Sequence, residues 1–140
     1  MSKHDAKAIA ASLPVREEDE PWTPEEVAEV IADLEADVDR MGKALAKAEQ
    51  DLDELMKEGN DGAGMDTVDV GSTQFERDQE MTLVRNYREG YEQAQLALKA
   101  LDDGTYGICE SCRRPIRKAR LQAVPRATMC VECKQREERR

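Results

Sequence analysis

Aromatic side chains are scarce in this chain: one Trp, one Phe and three Tyr among 140 residues. With 37% of its residues charged, such a chain can bury a thin apolar seam but not a broad globular core. Long hydrophobic runs are missing as well. No window approaches the ~18 consecutive apolar residues of a membrane-spanning helix, and the apolar stretch Ala6 to Leu13 is shorter than the core of a secretory signal. Neither membrane insertion nor secretion is expected, and the cytoplasm is the expected location. Histidine occurs once. His4 has no second ligand type near it, so the expectation is a solvated tail residue.

The charge that is present is unevenly placed. The net charge is -10, yet Cys109 to Arg140 carries 10 Lys+Arg against 4 Glu, leaving 11 basic and 27 acidic residues before it. A basic end of this kind can bind nucleic acid, but the acidic remainder would repel it. The basic end therefore suits an acidic protein surface, or balances a metal–thiolate centre.

Residues 1–21 read as a disordered acidic leader, because "PVREEDEP" sets five charged residues and one aliphatic residue between two prolines. A frayed helix within Met1 to Leu13 is the most structure expected there. "WTPEEV" then marks a helix start: Thr23 caps, Pro24 takes the first helical position, Glu26 closes a capping box and Trp22 staples onto Val27. From Ile31 through Leu34, Val38, Met41, Leu45, Ala48 and Leu52 to Leu55, apolar residues step alternately by 3 and 4, which is coiled-coil spacing. "EGNDGAG" at Glu58 to Gly64 ends that helix. A second capping box at Thr73 and Glu76 opens another helix, whose stripe runs Val84, Tyr87, Tyr91, Ala94, Leu98, Leu101 until Gly104 caps it. Two such stripes joined by a short loop predict an antiparallel hairpin, its helices about 35 and about 30 residues long and roughly 45–50 Å in extent. Dimerisation through the same stripes is the competing use of them; a monomer is expected.

All four cysteines fall in "CESCRRPIRKARLQAVPRATMCVEC", as two Cys-x2-Cys pairs separated by 17 residues. Cys109, Cys112, Cys130 and Cys133 can surround one Zn2+ tetrahedrally, since the two-residue spacing lets both sulfurs of a pair face one ion. Sulfur fills all four positions, so no site remains for water or substrate: the zinc is expected to be structural, and the chain not to be an enzyme. Four thiolates on Zn2+ leave a net -2 for Arg113, Arg114, Arg117, Lys118, Arg120 and Arg126 to offset. A thiol redox switch is the alternative chemistry of such pairs.

The loop between the helices carries "MDTVDVG". Asp66 and Asp69 can cap or charge the start of the second helix. Alternatively, the hairpin carries these carboxylates to a place that a globular surface cannot enter, such as a metal-containing active site.

These residues together resemble the DksA/TraR family of bacterial RNA polymerase regulators, over about residues 24–134. The likeness rests on "DTVDVG", "DGTYGICESC", "I-x3-RL-x-A-x-P" and "CVECK". It implies a zinc-finger end at the rim of the polymerase secondary channel and a coiled-coil hairpin reaching in, with its acidic tip near the catalytic Mg2+. It also implies altered open-complex stability at promoters without sequence-specific DNA binding. The family's tip pattern, Asp-x2-Asp-x-Ala, falls on Asp66, Asp69 and Gly71, with glycine in place of alanine. Of the basic positions that serve guanosine tetraphosphate, Gln93 and Val124 occupy two and Lys134 alone keeps its charge, so polymerase binding is expected more than strong alarmone response. The expected fold is mainly α: a long antiparallel coiled-coil hairpin at 22–104 with its tip at 59–72, joined to a small four-cysteine zinc finger with a basic C-terminal helix at 105–140. A zinc-containing interaction protein with a non-polymerase partner is the other function compatible with these elements.

Overall fold

Thr23 Oγ1 accepts from the Glu26 backbone N–H at 3.1 Å, and Glu26 Oε1 accepts from the Thr23 N–H at 3.0 Å. The capping box thus closes in both directions and fixes where the first long helix begins. The computed structural model that shows this describes residues 4–60 and 67–139, and the side chains outside 58–72. Its helices are α1 (Ala6–Ser12), α2 (Pro24–Asn60), α3 (Thr67–Asp103), α4 (Lys118–Ala123) and α5 (Val131–Glu138). One isolated bridge pairs Ile108 with Pro115. No described helix is long and apolar enough to cross a membrane.

The fold is mainly helical, with α2 and α3 forming an antiparallel coiled-coil hairpin joined to a small four-cysteine finger. Both long helices exceed the expected bounds. Helix α2 continues to Asn60, and α3 begins at Thr67 and not at Thr73. The Thr73–Glu76 pattern therefore lies inside a helix. Gly71 costs only about 1 kcal/mol in a helix interior, so a run that can stay helical need not start at its best cap. Asp66 lies outside the described residues; Asp69 and Gly71 fall within α3, outside the described side chains.

The chain divides into two compact units. The hairpin unit, Asp39–Glu92, holds parts of α2 and α3 alone. There Met41, Ala48 and Val84 are buried, while Leu45, Leu52, Leu55, Tyr87 and Tyr91 are half-buried. Gly42 lies beneath the Tyr91 ring, where an added Cβ would come within 3.1 Å of it. Farther along α2, Glu49 pairs with Arg88 at 3.4 Å. Ascending positions on α2 thus meet descending ones on α3.

The finger unit, Met1–Val38 with Gln93–Arg140, contains the larger core. Val27, Val30, Ile31 and Leu34 from α2 join Ala94 and Leu101 from α3, with Tyr106, Ile116, Leu121 and three of the cysteines. From Ala6 onward the leader also contributes to this core, which corrects the expectation of disorder over the described part of 1–21. Asp5 caps α1 by accepting from the Ala8 N–H at 3.3 Å, and Ile9, Ala10 and Leu13 are buried. Ala6, Ile9, Ala10 and Leu13 occupy one helical face. Full burial contributes on the order of 1.5–3 kcal/mol for a residue such as Ile9 or Leu13. His4 is likewise no free tail residue: its Nδ1 lies 2.6 Å from Asp102 Oδ1, and its side chain is 11% exposed.

The charged half of the leader is held by the finger. Arg16 is buried and donates from Nε to the Pro115 carbonyl at 2.6 Å. Asp19 accepts from Arg117 Nε and an Arg117 terminal nitrogen, at 3.1 and 2.9 Å, and from the Lys118 backbone N–H at 2.9 Å. Lys118 Nζ reaches Glu26 at 2.7 Å and lies 5.5 Å from the Trp22 ring centroid. Within "PVREEDEP", Asp19 and Glu18 are thus answered by Arg117, a cation distant in sequence.

Hydrogen bonds from the Arg117 side chain, then from the Lys118 N–H, hold the Asp19 carboxyl below its ordinary range; Lys118 does the same for Glu26. A depressed carboxyl stabilises the fold above its unfolded pKa, about 3.9 for Asp, and this contribution disappears as pH falls through the folded value. Amide-exchange protection of residues 5–20 should therefore stay level from about pH 8 to pH 5 and weaken below about pH 4. Asp19→Asn should lower that protection at neutral pH and flatten the acid step. A variant with the parent's protection and the parent's acid step would show that this ion pair does not hold the leader.

Candidate metal centre

The finger begins where α3 is made to stop. Gly104 adopts φ 78°, and the next N–H, from Thr105, donates back to the Ala100 carbonyl at 3.0 Å, which is how glycine ends a helix. Tyr106 is then buried, its ring 6.4 Å from that of Trp22 in an edge-on arrangement. Its hydroxyl donates to the Pro125 carbonyl at 2.7 Å. Burial raises the Tyr106 pKa, so the phenol stays protonated and keeps that bond.

Backbone hydrogen bonds shape the first cysteine pair into a tight loop. The Cys109 N–H donates to the Arg114 carbonyl and the Arg113 N–H to the Cys109 carbonyl, both at 2.9 Å, while the Ile116 N–H reaches the Gly107 carbonyl at 2.7 Å. Two residues take positive φ, Gly107 at 82° and Arg113 at 65°. The second pair opens α5, with Cys130 at its N-cap. Between the pairs, α4 plants Leu121 in the core, and the Glu110 N–H donates to the Thr128 carbonyl at 2.9 Å, tying the two loops together.

This framework brings all four sulfurs within 4.8 Å of one another. Cys109, Cys130 and Cys133 are buried, Cys112 is half-buried, and none forms a disulfide. Cys112 Sγ and Cys130 Sγ lie 3.9 Å apart. Sulfurs on a tetrahedral zinc with ~2.3 Å bonds stand about 3.8 Å apart, so the spacing fits the ion. The protonation demands of Cys109 and Cys130 differ. Burial pushes Cys130 up to about 12. At Cys109 burial acts the same way but is outweighed by backbone N–H donors from Cys112, Cys130 and Ser111, which bring the thiol to about 6. A divalent cation is what lets all four be thiolates together. The four cysteines hold one structural zinc, and sulfur closes its coordination shell.

The surrounding cations are not distributed as the sequence suggested. Arg117 and Lys118, counted among the groups offsetting the thiolates, engage Asp19 and Glu26 instead. One guanidinium that does reach a sulfur is that of Arg136, whose terminal nitrogen lies 3.2 Å from Cys133 Sγ. Its position one helical turn after Cys133 was the available signal. The structure also gathers Gln93, Val124 and Lys134 around one open cleft, together with Arg120 and Arg126. Lys134 is therefore accompanied by two arginines that the position-by-position reading left out.

A helical hairpin and a closed four-cysteine finger in one chain define a class of zinc-finger protein. Within that class, the chain is similar to the DksA/TraR family. Residues 104–139 match the prokaryotic dksA/traR C4-type zinc finger. The RNA polymerase-binding transcription factor DksA of Caulobacter vibrioides is 36% identical over 96 residues, covering 69% of this chain and 66% of that protein. General stress protein 16O of Bacillus subtilis is 35% identical over 86 residues, covering 61% of this chain and 53% of that one. These matches thus span less than two thirds of the relatives' own lengths. A solved structure of transcription factor DksA2 from Pseudomonas aeruginosa is similar over 77% of this chain and 84% of that chain, at 26% identity and a TM-score of 0.44.

Two outcomes follow from the centre. The purified chain should contain one zinc, and chelation should unfold the finger and release the leader, because Pro115, Arg117 and Lys118 lie between the cysteine pairs. Helix within Asp39–Glu92 should persist. Circular dichroism with amide exchange reads both parts; a leader that remains protected without metal would show that the core alone holds it. Separately, Gly107→Ala should destabilise the finger by about 1–3 kcal/mol, since Gly107 has positive φ and an added Cβ would come within 2.9 Å of Leu121 Cδ1. Thermal unfolding of the zinc-loaded protein measures this, and an unchanged midpoint would contradict it.

Proposed function

We propose that this chain is a non-enzymatic transcription regulator that binds RNA polymerase, and so works in the cytoplasm. In this reading the hairpin enters the polymerase secondary channel and presents Asp66 and Asp69, with Gly71 beside them, toward the catalytic Mg2+. The finger stays at the channel rim, its zinc purely structural. The observation that carries the proposal is the length of the match to the polymerase-binding factor of Caulobacter. Its 96 residues far exceed the finger segment at 104–139, so the likeness must include hairpin sequence. A shared zinc finger alone would support only a shared metal site.

The physical arrangement supports the same reading. A hairpin made of α2 and α3, each 37 residues long, suits a deep and narrow opening better than a flat surface. The acidic body opposes specific DNA binding. The cleft of Arg120, Arg126 and Lys134 offers positive charge for an acidic polymerase surface, or for an anionic effector such as guanosine tetraphosphate.

Replacing Asp66 and Asp69 together by Asn retains size and hydrogen-bonding capacity but removes the negative charge. If the carboxylates act near a catalytic metal, the double variant should bind polymerase like the parent yet lose its effect on a promoter with a short-lived open complex. If they only cap α3, stability should shift by at most about 1 kcal/mol and transcription should respond as before. In vitro transcription beside a polymerase-binding titration separates these cases. Equal activity of variant and parent would refute the tip mechanism, and absence of binding by the parent would refute the polymerase reading itself.

A further inference from the structure

One of the four sulfurs has a cation donating to it: a terminal nitrogen of Arg136 lies 3.2 Å from Cys133 Sγ. Arg136 and Ser111 line a solvent-open cleft of about 270 Å³ with Met129 and Glu137, and Cys133 lies at its wall. Cys133 is 3% exposed, so a hydrogen bond lost there is poorly replaced by water.

We propose that Arg136 is the outer-sphere partner of the zinc site, a positioning residue that holds the Cys133 thiolate and thereby sets the affinity for the metal. Its place on α5 allows this. Residues three apart on a helix share a face, so a guanidinium in the last turn can reach back to the sulfur in the first. A zinc–tetrathiolate carries net negative charge, and a cation donating to one of its sulfurs stabilises the bound state more than the metal-free state. Outer-sphere partners of this kind typically contribute tenfold or more in metal affinity. The proposal concerns the metal site alone and does not depend on polymerase binding.

The test uses the full chain, loaded with zinc and titrated against a chelator of known affinity at fixed pH. Arg136→Ala should weaken zinc binding by about tenfold, Arg136→Gln should fall between it and the parent, and Arg139→Ala, which removes a charge from the same helical end, should match the parent. Loading with Co2+ supplies a spectroscopic readout that a loss of helix stability would not move: the sulfur-to-metal charge-transfer band should shift in Arg136→Ala and Arg136→Gln but not in Arg139→Ala. If Arg136→Ala does not take up metal, Arg136→Gln decides. Affinity and band position unchanged in Arg136→Gln would overturn the proposal, and so would an Arg139→Ala variant weakened as much as Arg136→Ala.

Discussion

Four thiolates with all their sulfurs within 4.8 Å repel one another unless a cation stands among them, and the finger depends on that requirement. Segments shorter than about 40 residues seldom bury enough surface to fold without a metal or a cross-link. Here the zinc joins a loop at the end of α3 to the first turn of α5, and everything between them becomes a fixed surface. That surface supplies Ile116 and Leu121 to the core. It also supplies the Pro115 carbonyl, Arg117 and Lys118 to the leader. The leader's packing is therefore expected to follow metal occupancy, although no described leader residue is a ligand.

The same linkage explains why an acidic chain carries a basic finger. At long range the two charges attract weakly through water. At short range they are resolved into particular contacts, with Asp19 on Arg117 and Glu26 on Lys118. The side chains of Asp19 and Lys118 are 11% and 12% exposed, so these pairs are less screened than ordinary surface pairs. Arg120, Arg126 and Lys134 remain around a separate cleft. Six of the finger's basic residues thus take distinct places: Arg117 and Lys118 on the leader and Glu26, Arg120, Arg126 and Lys134 around the cleft, and Arg136 beside a zinc ligand.

How much of this was legible in the sequence depended on the range of the interactions. The capping box at Thr23 and Glu26, the helix stop at Gly104 and the Cys-x2-Cys pairs act over a few residues, and each could be read directly. The heptad seam was legible because a period of 3.5 residues is a one-dimensional signal. The leader was misread because its two halves were weighed by local composition, whereas Arg16 and Asp19 find partners about a hundred positions away. The beginning of α3 was misread for a different reason. A good cap shows where a helix could start, and Thr73 offers one, but the helix extends past it to Thr67. At the metal, ligand identity followed from spacing, while the choice of Arg136 over Arg117 as a sulfur partner required the path of α5.

Stability is distributed unevenly between the two units. The finger unit joins Val27, Leu34, Leu101 and Leu121, all almost fully buried, to a metal cross-link. Among the described residues of the hairpin unit, the buried hydrophobic side chains are Met41, Ala48 and Val84. Exposed i,i+4 ion pairs add to it: Asp39 with Lys43, Lys47 with Asp51, and Asp53 with Lys57. Each contributes only about 0.3–0.5 kcal/mol, so together they amount to less than the burial of one leucine. The seam must carry the rest, and a seam of half-buried leucines and tyrosines opens at lower free energy than a packed core. Phe75, Met81 and Leu83 remain exposed on α3 in this unit. A hairpin that enters another protein's channel would leave water on every side, and burying those side chains against the channel wall would supply stabilisation that the isolated seam lacks.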